Sequence, residues 1–191
     1  MSSILRVVFE GVAAQVVSVT VGVFAGIGLA YMRGALEELP GMIILVPAFL
    51  EMRGNVSGTF ASRLGTALHM GIVKPYVDFK NQILKANVFG TFTLGVIESI
   101  FIAFFTYTLC LVFNFKSMGL INLVLLMVIA GLLSNIVMIF LTLYSTMYVY
   151  RRGLDPDTFM GPYITSVGDV VSIICLFIAS YIVMVVSYGY V

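Results

Sequence analysis

The sequence predicts an all-α integral membrane protein with about five transmembrane helices. Of its 191 residues, 61% are hydrophobic and only 10% are charged, whereas a soluble domain usually carries about a quarter charged residues. The mean hydropathy is +1.11. A chain of this length has room for about five spans of ~20–25 residues and short connections. We therefore interpret residues 1–191 as one transmembrane domain and expect no soluble regulatory domain.

Composition and motifs exclude several other functions. Ten Lys and Arg residues nearly balance nine Asp and Glu residues, without a long basic run, so nucleic-acid binding is not predicted. Cys110 and Cys175 lie in apolar runs and lack the spacing of a zinc site or a disulfide framework. The single histidine, His69, belongs to no HExxH motif, and no GxSxG motif occurs. An intramembrane enzyme is therefore not predicted, and we expect no bound cofactor.

Five apolar segments have lengths near that of a membrane span. Their approximate bounds are 4–32, 40–70, 84–113, 118–149 and 160–190. The first segment is too long for the core of a signal peptide and is interpreted as a span. The third, fourth and fifth segments are nearly free of charged residues. The sequence of these segments predicts five helices joined by short loops.

The second segment differs from the others because polar residues and glycines gather at its centre. Glu51, Arg53, Gly54, Asn55 and Gly58 all fall within eight consecutive positions. Such a cluster predicts an interrupted second helix, because irregular backbone at membrane depth is tolerated only against protein or a water-filled cavity. We expect residues 51–58 to face a polar cavity or its mouth.

The distribution of basic residues predicts the orientation in a cell membrane, because cytoplasmic loops are enriched in Lys and Arg. With the N-terminus in the cytoplasm, seven basic residues lie at the inner side and two at the outer side. The inner residues are Arg6, Arg63, Lys74, Lys80, Lys85, Arg151 and Arg152, and the outer ones are Arg33 and Lys116. We predict a multi-pass protein whose N-terminus is cytoplasmic and whose C-terminus is outside.

Asp169 is the strongest candidate for a functional carboxylate, since an ionisable group inside a membrane costs several kcal/mol and usually has a function. Asp155–Pro156 resembles a helix start, and Gly161–Pro162 predicts a break in the helix. Asp169 follows Pro162 by seven residues, or about 10 Å of helix. Thr165 lies one turn earlier on the same face, so a hydroxyl and a carboxylate share one strip of the helix.

Glu98 and Glu51 have two possible roles each. Glu98 lies in the middle of the third span, where it either contacts an ion or forms a hydrogen bond to Asn135 or Ser134 of the fourth span. Glu51 either binds a cation or pairs locally with Arg53 or Arg63. The sequence does not decide between these alternatives.

Sparse oxygen ligands of this kind suit Mg²⁺, which keeps several waters and prefers one or two carboxylates to a complete protein cage. Two copies of Asp169 in a symmetric pair would place a divalent negative site on the dimer axis. Residue types and spacing alone indicate a cation path without identifying the ion. Mn²⁺, Co²⁺ and Ni²⁺ accept similar ligands.

Two blocks of the sequence resemble a known family. They are LVPAFLEMRGNVSGTFASRLGTALHMG in the second span and RRGLDPDTFMGPYITSVGD before and within the fifth. Together they resemble the MgtE-type magnesium channels, and more closely the related magnesium-transporting solute carriers of eukaryotes. Two separate blocks in the same context are more specific than one short motif.

The resemblance implies a parallel homodimer with a pore on its two-fold axis and Mg²⁺ as the transported ion. It implies that Asp169 faces hydrated magnesium and that Asn55 and Asp155 are polar positions near the cytoplasmic side. The bacterial channels carry a soluble sensor that this sequence does not contain. The solute-carrier branch includes proposed sodium-coupled exchange, so two interpretations stay open: a passive pore and an exchanger coupled to sodium or protons through Glu98 or Glu51.

Overall fold

A computed structural model of the chain describes the backbone of residues 3–189. The side chains described are those of residue 12 and of residues 15–189 apart from 158 and 188. Every regular element in this range is an α-helix. In chain order the helices are α1 (Ser3–Tyr31), α2 (Arg33–Glu38), α3 (Met42–His69), α4 (Gln82–Val112), α5 (Leu120–Arg151) and α6 (Pro156–Tyr188).

Each of the five predicted segments corresponds to one long helix. The bounds agree within two residues, except that the last helix begins four residues earlier than predicted, and the predicted end at 190 lies outside the described residues. The short helix α2 was not predicted. Its sequence places Arg33 four residues before Glu37, and Arg33 Nε lies 2.8 Å from Glu37 Oε1, a spacing that stabilises isolated helical turns.

The predicted interruption of the second span is wrong. Helix α3 continues from Met42 to His69 through residues 51–58. Gly54 lies where α3 approaches α6, since a Cβ built there would meet Thr165 Cγ2 at 3.5 Å. Glycines that bring two helices together therefore mimic the sequence signal of a helix break. The charged residues of this segment face a cavity or the protein interior, which removes the need for irregular backbone.

The predicted break at Gly161–Pro162 is also absent, because α6 is continuous through both residues. The predicted helix start at Asp155–Pro156 is confirmed: the helix begins at Pro156, and Asp155 Oδ1 accepts a hydrogen bond from the backbone N–H of Asp157 at 3.1 Å. A proline in the first helical position has a suitable φ and no N–H to leave unsatisfied. Pro162 follows only six residues later, and the loss of one backbone hydrogen bond does not end a helix held by tertiary packing.

Helix α6 occupies the centre of the packing. It contacts α1, α3 and α5, while α4 packs on α3 and α5. The hydroxyl oxygens of Ser166 on α6 and Ser18 on α1 lie 2.5 Å apart. Because the Ser166 proton is donated to the carbonyl oxygen of Pro162 at 2.6 Å, Ser18 is the donor of the bond between the helices. At the other end of α6, the Ser187 hydroxyl donates to Asn122 Oδ1 on α5 at 2.9 Å. These bonds hold α6 against its two neighbours at different depths.

Three of the described helical segments are long and apolar enough to cross a membrane: Gln82–Val112, Leu120–Arg151 and Phe159–Ser187. The apolar segment Gln15–Tyr31 is shorter. Helix α3 is not among them because its second half carries several polar and charged residues. The architecture is that of a membrane protein, whereas the crossing of the bilayer by α1 and α3 stays a prediction.

Helices α3, α4 and α5 approach closely around Gly95. A Cβ built on Gly95 would lie 2.5 Å from Asn135 Nδ2 and 2.8 Å from Arg53 Nη2. Asn135 is buried and donates from Nδ2 to the backbone carbonyl of Phe92 at 2.9 Å, so it cannot withdraw without losing this bond. Gly95 therefore provides the space in which two buried polar side chains fit.

We expect Gly95→Ala to lower the stability of the protein by roughly 1–3 kcal/mol, the usual cost of overpacking. Gly90→Ala on the same helix is the matched control, since no atom lies within 4 Å of a Cβ there. Both cysteines are buried, so a thiol-reactive fluorescent dye reports unfolding during heating in detergent. An unfolding temperature of Gly95→Ala equal to that of Gly90→Ala would show that the three helices separate at little cost.

Candidate cation site

A cavity of about 280 Å³ lies between α3 and α6. Its lining combines two carboxylates, an amide and a hydroxyl with a few apolar groups. The lining residues are Pro47, Leu50, Glu51, Gly54, Asn55, Thr165 and Asp169. The two sequence blocks of the resemblance thus meet in one cavity, although more than a hundred residues separate them.

Helix α3 supplies Glu51 and Asn55, which lie one helical turn apart. The side chain of Asn55 donates from Nδ2 to Glu51 Oε1 at 3.2 Å. This bond fixes the direction of the carboxylate and turns the amide oxygen of Asn55 away from it. Both residues are exposed in the single chain. They therefore present oxygen atoms to the cavity from one strip of α3.

Helix α6 supplies Thr165 and Asp169, which are also one turn apart, as predicted. The Thr165 hydroxyl lies 3.0 Å from the carbonyl oxygen of Gly161 and 3.1 Å from that of Pro162. Because its proton is directed to these carbonyls, the hydroxyl oxygen is left as an acceptor. Asp169 stands 13 residues after Pro156, which corresponds to about 20 Å of helix and hence to the middle of a span.

The charge of the cavity is negative. Glu51 and Asp169 act on each other as like charges, and a cation between them would offset this repulsion. Across the part of the chain that the structure describes, no group of three His, Cys, Asp or Glu side chains converges as a metal-binding cluster. Two carboxylates with an amide and a hydroxyl suit a cation that keeps most of its water shell.

Glu98 is not brought to the cavity. Of its two predicted hydrogen-bond partners, Asn135 instead donates to the carbonyl of Phe92, and Ser134 donates to the carbonyl of Gly131 at 3.3 Å. The opposite charge that acts on Glu98 is the guanidinium of Arg53. Glu98 is partly buried on α4 and does not line the cavity.

Asp155 is not part of the cavity either, because it lies at the start of α6. Its carboxylate caps the helix, and Asp155 Oδ1 lies 3.5 Å from His69 Nε2. The His69 ring also meets the edge of Tyr150 at a centroid distance of 5.3 Å. Asp155 therefore joins the end of α3 to the start of α6, on the side of the membrane that was predicted to be cytoplasmic.

Sequence reasoning missed the position of Arg53. Its side chain is 0% exposed and its guanidinium lies 5.7 Å from the ring centroid of Phe49. Arg53 was considered as a partner of Glu51, yet the two residues are directed to different sides of α3. Two positions along a helix correspond to a rotation of about 200°. The spacing of Glu51 and Arg53 therefore already indicated that they lie on opposite sides of α3.

Comparisons with known proteins agree with this geometry. The family model MgtE, described as a divalent cation transporter, matches residues 46–179 and so includes the whole lining of the cavity. The chain belongs to the MgtE family. No solved structure matches it significantly.

Curated relatives of this MgtE-family chain are solute carriers. It is 26% identical over 144 residues to solute carrier family 41 member 3 of Rattus norvegicus, covering 70% of this chain and 31% of the relative. It is 27% identical over 150 residues to member 2 of Xenopus laevis, covering 73% and 25%. The same values hold for member 2 of Homo sapiens. The matched part thus spans about a quarter to a third of these relatives.

Proposed function

We propose that this chain carries divalent cations, Mg²⁺ by preference, across a cell membrane. The observation that supports the proposal most strongly is the cavity between α3 and α6. It joins Glu51, Asn55, Thr165 and Asp169 in the part of the chain that matches a divalent cation transporter family. A carboxylate from each helix, with an amide and a hydroxyl beside them, forms a negatively charged strip of oxygen atoms along the path.

The size of the cavity favours an ion that retains water. A volume of about 280 Å³ corresponds to roughly nine molecules of liquid water at about 30 Å³ each. Six of these would form the octahedral shell of Mg²⁺, which dehydrates reluctantly. In the proposed mechanism, the carboxylates and the Thr165 oxygen accept hydrogen bonds from these waters. The ion can then pass without the full cost of dehydration.

The proposed working unit is a homodimer. Glu51 and Asn55 are exposed in the single chain, and the cavity contains only two carboxylates. A second copy related by a two-fold axis would double the negative charge and close the open side of the path. In the proposed orientation the N-terminus is cytoplasmic, so His69 and Asp155 lie near the inner mouth.

The alternative is an exchanger that couples divalent cation movement to sodium or protons. One observation supports it: Glu51 and Asp169 face the same small cavity, and such a pair can exchange a proton or a monovalent ion as the divalent ion leaves. In this version Glu51 is the coupling carboxylate. Glu98 is less suited to that role because it does not line the cavity and the charge of the buried Arg53 guanidinium acts on it.

Flux measurements in liposomes test the proposal. We expect purified protein to admit Mg²⁺ to vesicles that contain a magnesium-sensitive dye when the potential is negative inside. Each elementary charge gains ~2.3 kcal/mol per 100 mV. Protein-free vesicles of the same lipid are the control, and parallel samples carry a sodium or proton gradient.

The driving force separates the two versions of transport. Flux that follows the membrane potential without another gradient supports the pore. Flux that requires a sodium or proton gradient supports the exchanger. A rate equal to that of protein-free vesicles for Mg²⁺, Mn²⁺ and Co²⁺ under every gradient would contradict divalent cation transport.

A further inference from the structure

A second cavity, of about 810 Å³, lies at the N-terminal end of α6. It is bounded by the last two turns of α5 and the first two turns of α6. Most of its lining is apolar, with Met147, Phe159 and Met160 among the contributors, and Val77 of the α3–α4 connection closes one side. This groove shares no residue with the cation site. Nothing in the proposed transport mechanism uses it.

The groove is lined by residue types that are common at the boundary between a membrane and water. Tyr144, Tyr148 and Tyr163 line it with exposed rings, and tyrosine concentrates where hydrocarbon meets the headgroup region. The Ser145 hydroxyl lies 3.4 Å from the Tyr163 hydroxyl, which places a polar pair inside an otherwise apolar wall. From Tyr144 to the end of α5 at Arg151 the groove extends about 10 Å along the helix, enough for the first part of an acyl chain.

Positive charge gathers at the mouth of the groove. Arg151 lines it and donates from Nε to the carbonyl oxygen of Pro75. The guanidinium carbon of Arg152 lies 5.1 Å from the ring centroid of Tyr148, and Lys74 Nζ lies 5.8 Å from the ring centroid of Tyr76. Guanidinium groups match phosphate oxygens in geometry as well as in charge.

Acidic residues near the mouth are fewer and are engaged elsewhere. Residues 70–85 and 151–157 contain five Lys and Arg residues against three Asp residues. Of the three, Asp78 accepts a hydrogen bond from the backbone of Lys80, Asp155 pairs with His69, and Asp157 lies beside Gly65 of α3. Basic residues therefore outnumber acidic ones in the two segments next to the groove.

We propose that this groove binds an anionic phospholipid, with one acyl chain between α5 and α6 and the phosphate on Arg151 and Arg152. The occupant follows from the combination of an apolar groove, an aromatic rim and a basic mouth at a helix end. A lipid seated there would contact the first turns of α6 and the α3–α4 connection together. It would thereby hold the start of the helix that carries Thr165 and Asp169.

Native mass spectrometry of the detergent-solubilised full chain tests this proposal with phosphatidylglycerol and phosphatidylcholine as probes. We expect phosphatidylglycerol to be retained in preference to phosphatidylcholine. Replacing both arginines (R151Q with R152Q) should weaken its binding about 30-fold, because each basic group near a headgroup contributes on the order of a factor of five. The matched control removes two basic groups at the opposite end of the protein (R33Q with K116Q) and should leave binding unchanged.

Two further variants distinguish loss of lipid binding from misfolding, since Arg151 also donates a hydrogen bond to the carbonyl oxygen of Pro75. R152Q alone keeps that bond and should weaken binding about fivefold. Ser145→Trp fills the groove and should exclude the lipid while all basic residues remain. Equal retention of both lipids, equal loss in the control variant, or occupation of the groove by a second copy of the chain without lipid would each overturn the proposal.

Discussion

Asp169→Asn is expected to reduce Mg²⁺ flux by about an order of magnitude or more, the largest functional effect of any single substitution in the described chain. The change keeps the size of the side chain and removes one of the two carboxylates of the cavity. A neutral amide attracts a hydrated divalent ion more weakly than a carboxylate does. Its NH₂ group also donates hydrogen bonds to the cavity oxygens that would otherwise accept them from the waters around the ion. The measurement is dye-reported Mg²⁺ entry into liposomes at a fixed potential.

Asp157→Asn is the matched control for Asp169→Asn. It is the same substitution on the same helix, but Asp157 is exposed in the first turn of α6 and outside the cavity. Its expected effect is limited to the weak interaction of a carboxylate with the helix N-terminus. Both variants should unfold at the wild-type temperature in the thiol-dye assay. If Asp169→Asn transports Mg²⁺ as fast as Asp157→Asn, Asp169 does not belong to the path.

Glu98→Gln is expected to destabilise the protein by roughly 1–2 kcal/mol, because it removes a negative charge that acts on a buried guanidinium. The guanidinium of Arg53 is fully buried, and within the described part of the chain its nitrogens have no hydrogen-bond partner. Glu98 is the carboxylate that acts on it. Glu98 is only partly buried, so the loss of its charge leaves the Arg53 guanidinium less compensated but does not carry the full cost of breaking a buried contact pair.

A double-mutant cycle separates the pair from its surroundings. Arg53→Met alone removes the buried charge and keeps most of the side-chain volume. Combined with Glu98→Gln it should restore part of the lost stability, with a coupling energy of about 1 kcal/mol. Arg63→Met on the same helix is the control, because Arg63 is exposed. Additive losses in the cycle would mean that Glu98 is not the counter-charge of Arg53.

The positions of the helices were predictable because they depend on a simple physical requirement. A segment that must lie in hydrocarbon or in a buried interior needs a long apolar run, and five such runs are visible in the sequence. The shared face of Thr165 and Asp169 was predictable as well, since residues four positions apart stack along a helix.

The helix breaks were predicted wrongly because Gly and Pro report local preference, whereas tertiary packing decides at these sites. Gly54 permits contact with α6, and Pro162 lies in a helix that three neighbours support. Local propensity is a weak guide where many contacts favour the helix.

The partners of Glu98 and Arg53 were not predictable for a different reason. Helix α4 is apolar on nearly all sides, so its sequence contains no periodic signal that determines its rotation. Without that rotation, the direction of a single carboxylate is unknown. The meeting of α3 with α6 in one cavity could not be predicted from spacing either, because periodicity describes one helix at a time.

The division of the cavity between α3 and α6 also affects the protein during its synthesis. Asn55 and Thr165 are separated by 110 residues, which a ribosome adds in about 5–20 s. During this interval a nascent chain contains the polar lining residues of α3 but not those of α6. Asp169 is therefore not yet present opposite Glu51. In the proposed mechanism a cation path therefore cannot form before α6 has packed against α1, α3 and α5. A partly synthesised chain would have no complete path through which ions could leak.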